Sequence, residues 1–210
     1  MSNYHYIVAS LPVLSPDYRF TKDSPAQLLE EILELSSDKD RELIETLRSG
    51  WDKDHLTPEF YAGVLAHRNR FIREYFFFDL CVRNAKVEYL NQQIGRPAGT
   101  DVLVPAHTDA ESGETTVTEL PDFEQAAQTQ AALAAPDLLS RERALDQLYW
   151  DKIDDLTTFD WFTVETLLGF IARLHIVARW FELDEQAGRE KFRTLVDEVR
   201  GSFKGVEYKA

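Results

Sequence analysis

The segment HRNRFIREYFFFDLCVRNAKVEYLNQQ, residues 67–93, gathers the side chains of greatest chemical capacity in the chain: His67, Arg68, Arg70, Arg73, Cys81 and Arg83, interleaved with aromatic rings. Such a mixture suits three kinds of chemistry. Arginines and rings on one face track phosphates and stack bases. A histidine in a helical bundle ligates a metal, and a thiolate attacks an electrophile.

Helical spacing separates these groups. At about 100° per residue, Phe60, Val64, His67, Phe71, Tyr75, Phe78, Val82, Ala85 and Tyr89 share one stripe, and Ile72, Phe76, Leu80, Val87 and Leu90 form a second apolar strip. The arginines fall at four separated angles, and Asp79 stands four residues before Arg83 as an ion-pair partner. A phosphate groove needs its cations on one face, so no nucleic-acid partner is expected. His67, on an apolar stripe, reads as a hydrogen-bonded core residue. No Glu-x-x-His occurs in the chain, which removes the usual di-metal helix signature. Cys81 has no histidine near it in sequence and reads as a small buried hydrophobe.

The remaining motifs are equally plain. No Gly-rich phosphate loop, Gly-x-Ser-x-Gly elbow or paired metalloprotease histidines occur, and the carboxylates of LLEEILEL and DKIDDL read as solvated helix charges. The expectation is no catalytic residue, no cofactor and no metal. A single cysteine offers no disulfide framework, and the formal net charge of −14 repels phosphate backbones and anionic lipid. With no apolar run of the roughly 18–20 residues that span a bilayer, and no basic leader in MSNYHYIVASLPVLSPDYRF, a cytoplasmic protein without direct membrane insertion is expected.

The elements that hold these residues read as all-α, a multi-helix bundle in one domain over 1–210. Ser24, Pro25 and Gln27 start a helix whose apolar side is Leu28, Leu29, Ile32, Leu33 and Leu35. A second runs through DKDRELIETLR to Gly50, with Leu43, Ile44 and Leu47 inward. Thr57 and Pro58 open a long central helix that the pattern carries unbroken to Gln93, a rod on the order of 50 Å. Residues 97–120 then form an acidic loop, expected to be mobile and outside the core; no Lys or Arg stands between Arg96 and Arg141. Prolines reopen helices at PDFEQAAQTQAALAA and PDLLSRERALDQLYWDKIDDL. Two more are expected on either side of ELDEQ, the second with Phe192, Leu195, Val196 and Val199 as its stripe. Only YHYIVAS is strand-like, and no partner strand is apparent for it.

One face exceeds what a core requires. FTVETLLGFIARLHIVARWFEL carries a full apolar arc of Val164, Leu167, Leu168, Phe170, Ile171, Leu174, Val177, Ala178 and Phe181, with His175 at its edge. On the other side stand Arg173, Ile176 and Trp180, below a gap left by Gly169. These three either pack on LDQLYWDKI or form a partner-binding hot spot, a role in which Trp and Arg dominate.

The segments NYHYIVASLPVLS, NRFIREYFFFDLCVRN and SRERALDQLYWDKIDDLTTFDWFTVETLLGFIARLHIVARWFELDEQAGREKFR resemble the bacterial family known as domain of unknown function 2764, whose genes sit among those of V-type rotary ATPases. The resemblance implies a helical subunit similar to the C (or d) subunit that joins the central stalk to the proteolipid ring. It also implies a cytoplasmic protein peripheral to the inner membrane. That subunit is longer and built of three related bundles, whereas this chain shows no internal repeat, so no functional residue carries over. The alternative expectation is a helical protein that binds a small apolar ligand, or self-associates, through Phe76, Phe77 and Phe78, which point in three directions.

Overall fold

The computed structural model describes residues 4–18, 20, 24–181 and Val196. Among them stand eight α-helices and one two-stranded hairpin, so the fold is all-α as its periodicity predicts. The helices are α1 (Tyr4–Ser10), α2 (Pro25–Leu35), α3 (Asp38–Ser49), α4 (Pro58–Leu65), α5 (Arg70–Ile94), α6 (Ala126–Leu133), α7 (Leu138–Thr157) and α8 (Val164–Phe181).

Caps begin these helices where the sequence places them. The Ser24 hydroxyl accepts from the Gln27 N–H while the Gln27 side chain accepts from the Ser24 N–H, and Pro25 occupies the first turn. Ser37 and Asp40 repeat the arrangement for α3, and Thr57 caps α4 ahead of Pro58. Each cap satisfies backbone N–H groups that the first turn leaves without an intrahelical partner.

The unbroken rod from 58 to 93 is corrected. The chain leaves the helix at Ala66, and α5 restarts with Asn69 as N-cap, its side-chain oxygen accepting from the Ile72 N–H at 3.1 Å. His67 therefore sits in the break and not on the stripe. Its Nδ1 accepts from the Asn69 N–H at 3.0 Å, and its carbonyl accepts from Arg73. What remains is a 25-residue helix closed by Gly95, which adopts a left-handed φ of 69° that favours glycine.

α5 is the central helix, in contact with α3, α4, α6, α7 and α8. Its three consecutive phenylalanines do diverge. Phe76 enters the larger core with Phe71, Ile72, Leu80, Ile44, Leu47, Ile153 and the buried arc of α8. Phe78 enters a second, smaller core with Val82, Leu133 and Leu145. Phe77 stays half-buried on the face between. Burying each such ring is worth about 1.5–3 kcal/mol, so two cores on one helix make α5 the shared wall of the molecule. Phe76 also requires Gly50, because a Cβ there would stand 2.1 Å from its ring.

The strand-like YHYIVAS is corrected as well: it forms α1, whose Ile7 is buried and which packs on α8. The two strands lie instead in the acidic loop, where β1 (Ala106–Thr108) pairs antiparallel with β2 (Thr115–Val117). That loop is tied down at its start. Asn84 exchanges two hydrogen bonds with Leu103, Asn91 donates to the Thr100 carbonyl, and Glu88 accepts from the Gly99 N–H. The hairpin beyond it is exposed, apart from a partly covered Ala106. The helix expected beyond ELDEQ falls outside the described residues except for Val196, which is helical.

Candidate functional site

Of the chemically capable side chains, Arg68 and Arg70 are exposed and His67, Arg73 and Cys81 are partly covered, while Arg83 reaches a buried carboxylate. Asp79 of α5 is 4% exposed and its carboxylate accepts three bonds: from the Tyr61 hydroxyl at 2.7 Å, the Tyr149 hydroxyl at 2.8 Å and Arg83 Nε at 2.7 Å. A buried charge is tolerated when it is paired and its lone pairs are satisfied, and here one cation and two phenols do so. Burial first, and the Asp79 charge second, push the Tyr61, Tyr75 and Tyr149 hydroxyls well above their ordinary range. They are held protonated, Tyr61 and Tyr149 as donors to Asp79, the opposite of what a phenolate base requires.

Next to this cluster the His175 ring stacks on Trp51 with centroids 3.9 Å apart and planes within 3°. Burial, with the nearby Arg179 charge second, lowers its pKa to about 4, so the imidazole is neutral at neutral pH. The Trp51 indole N–H is buried without a hydrogen-bond partner of ordinary geometry, although it bears on the Tyr75 hydroxyl. Burial pushes the Cys81 thiol up to about 11, which leaves it a poor nucleophile at neutral pH. Among the described residues, no group of His, Cys, Asp and Glu is arranged to hold a metal ion.

Arg173, Ile176 and Trp180 come together as expected, but against α7. Ile176 is 7% exposed. Arg173 pairs with Asp154, reaches Thr157 Oγ1 and lies over the Trp150 ring at 5.6 Å. The Trp180 indole N–H donates to Asp146 at 2.6 Å, Arg179 pairs with the same carboxylate, and Arg143 covers the Trp180 ring. The gap expected beside Gly169 is filled by α7: a Cβ there would stand 2.6 Å from Thr157 Cγ2. Close approach of the two helices explains why this face is a seam within the fold, and why it does not offer the open hot spot its angular position suggests.

Among the large apolar side chains that the fold leaves outside, three aromatic ones lie together one turn further along. Between α7 and α8, Phe159 is 88% exposed, Trp161 74% and Phe162 41%. Their backbone is braced. Arg70 donates to the Leu156 carbonyl and to the Asp160 carboxylate, both at 2.9 Å, and Thr166 Oγ1 donates to the Asp160 carbonyl at 2.8 Å. Asn69 donates to Glu165 at 2.9 Å, so the break that splits α4 from α5 also grips the start of α8. Phe162 rests on the His5 ring of α1, centroids 4.1 Å apart. Exposed Asp151 and Asp155, spaced four apart on α7, lead up to Phe159 at the same interval. Periodicity could not find this turn, since its three rings obey none. The available signal was a run of aromatics, TTFDWFT, between two complete helical patterns.

The fold and this surface define a class: an all-α protein with a hydrogen-bonded carboxylate cluster inside and a braced aromatic turn outside. The chain belongs to the family described as "Protein of unknown function (DUF2764)", which matches residues 51–202. The match takes in the Asp79 cluster, the α7–α8 seam and the aromatic turn, and leaves α1 to α3 outside it. No curated protein and no solved structure matches the chain. No helix among the described residues is long and apolar enough to cross a membrane.

Proposed function

We propose that this protein is a non-catalytic interaction subunit, and that the assembly it serves is a V-type rotary ATPase, between central stalk and membrane ring. The observation that carries the first half is the set of three aromatic side chains, Phe159, Trp161 and Phe162, held in solvent on a turn that hydrogen bonds fix in place. Rings of this size lie outside only at a free-energy cost, which a partner recovers by covering them. The second half is supported by the resemblance of the long α7–α8 segment. The protein in this reading is cytoplasmic and peripheral to the inner membrane. Affinity purification of the tagged chain from its own cells, in mild detergent, tests it. Rotary ATPase subunits are expected in the eluate in fixed proportion; an eluate without them overturns the assignment.

A small apolar ligand has one observation in its favour, a cleft of about 410 Å³ beside Phe77 and Leu65. Its other walls include Arg73, Glu74, Glu119, Asp122 and Lys152, which suit an apolar molecule poorly. Native mass spectrometry of freshly purified protein decides between the two, because a retained ligand adds mass.

A further inference from the structure

We propose that the aromatic turn, together with Asp151 and Asp155, is a docking surface for a basic segment of a partner protein, one that sets an apolar side chain among the rings and lysines or arginines over the carboxylates. This rests on the reading of the chain as an interaction subunit. It adds which face binds and what chemistry binds it.

The chemistry follows from what the turn lacks and what surrounds it. Phe159 and Trp161 make no ring contact among the described residues, and their exposure leaves both ring faces open to a cation or an aliphatic chain. The only carboxylate in the turn itself, Asp160, is neutralised by Arg70, so the turn is apolar at its centre. Asp151 and Asp155 are exposed and form no ion pair among the described residues, Asp151 accepting only from the neutral Gln147 amide at 2.7 Å, which makes the approach along α7 negative. An apolar centre beside exposed carboxylates is complementary to an apolar side chain flanked by cations. The braces matter energetically. A turn already fixed by Arg70, Thr166 and Asn69 loses little entropy on binding, so burial of the rings converts more fully into affinity.

The same charges argue against two other occupants. Two copies meeting through this face bring like carboxylates together, on a chain that already carries −14. An anionic lipid surface attracts basic segments, and this approach is acidic.

The test places the photo-crosslinking residue p-benzoylphenylalanine at position 161, and separately at exposed Leu139 on the opposite end of α7, in the full chain expressed in its own cells. Expected from position 161 is one dominant protein adduct whose crosslinked peptide carries Lys or Arg. Its yield should fall roughly three- to tenfold in the Asp151→Asn/Asp155→Asn background, and with added salt in wild type. Phe159→Ala should lower it about tenfold or more at unchanged melting temperature. A crosslinked dimer of the chain, a lipid adduct, the same products from position 139, or a yield indifferent to the two aspartates overturns the proposal. Recovery of rotary ATPase subunits with no adduct at 161 sinks the docking surface and leaves the function standing. An adduct with a basic partner from another assembly does the reverse.

Discussion

Tyr149 of α7 and Asp79 of α5 are joined by a 2.8 Å hydrogen bond across seventy residues of sequence, and Tyr61 of α4 meets the other oxygen of the same carboxylate. Three helices thus share one buried acceptor. Asp79→Ala leaves two phenols and a guanidinium without it, and is expected to cost on the order of 3 kcal/mol in urea denaturation. Tyr61→Phe and Tyr149→Phe should cost about 1 kcal/mol each and add nothing further in the Asp79→Ala background. A loss under about 1 kcal/mol for Asp79→Ala would show that the cluster holds nothing together.

His175 gives the fold a pH dependence with a defined sign. Its pKa is about 4 in the folded chain against 6.5 when unfolded, so between these values the unfolded state binds more protons and stability falls as pH falls. The loss from this residue is on the order of 2–3 kcal/mol between pH 6.5 and 4. Comparing chemical denaturation of wild type and His175→Gln across that window isolates it from the carboxylates. Parallel curves for the two proteins contradict the assignment.

Gly169 is required where α8 crosses α7. Gly169→Ala drives a methyl into Thr157 Cγ2 and Ile153 Cγ2, and the expected cost is about 1–3 kcal/mol despite the better helix propensity of alanine. Thr157→Ser removes the obstructing methyl and should restore part of the loss. Thermal melting of the single and double variants reads both.

Trp180→Ala separates packing from partner binding on the α7–α8 seam. The indole is half-buried, bonded to Asp146 and covered by Arg143, so its removal should destabilise the fold by on the order of 2 kcal/mol or more. An unchanged melting temperature with weakened partner recovery would return this face to the role its angular position first suggested.

Limited proteolysis should cut first between Asp109 and Val117. The hairpin tip and β2 are exposed there, while residues 99–103 are tied to α5 by side-chain bonds from Asn84, Glu88 and Asn91. First cleavage between 97 and 105 would show that these ties do not hold in solution.

Local signals in this chain were legible where one short stretch contained both partners. Ser24 with Gln27, Thr57 with Phe60 and Asp79 with Arg83 lie within four residues, and each pairing is present. The apolar arc of α8 was legible for the same reason, since one face of one helix is a local property. The break after Leu65 was hidden because Asn69 and His67 end and restart a helix without disturbing its apolar period. α1 is helical against its local signal, because aromatic and β-branched residues favour strands in isolation whereas burial of Ile7 against the bundle decides its state. Tyr149 and the inward turn of Ile176 depend on how α7 lies against its neighbours, which no single-helix pattern contains.

The packing of α1, α2 and α3 on α8 has a consequence for synthesis. The ribosome delivers the first three helices early, at about 5–20 residues per second, and most of the described chain must follow before α8 emerges. Until then Leu28, Ile32, Ile44 and Leu47 have no α8 to close over them. The nascent chain therefore carries an open apolar layer for several seconds at least, a natural binding site for a chaperone. The last described helix completes a structure that its first three cannot begin alone.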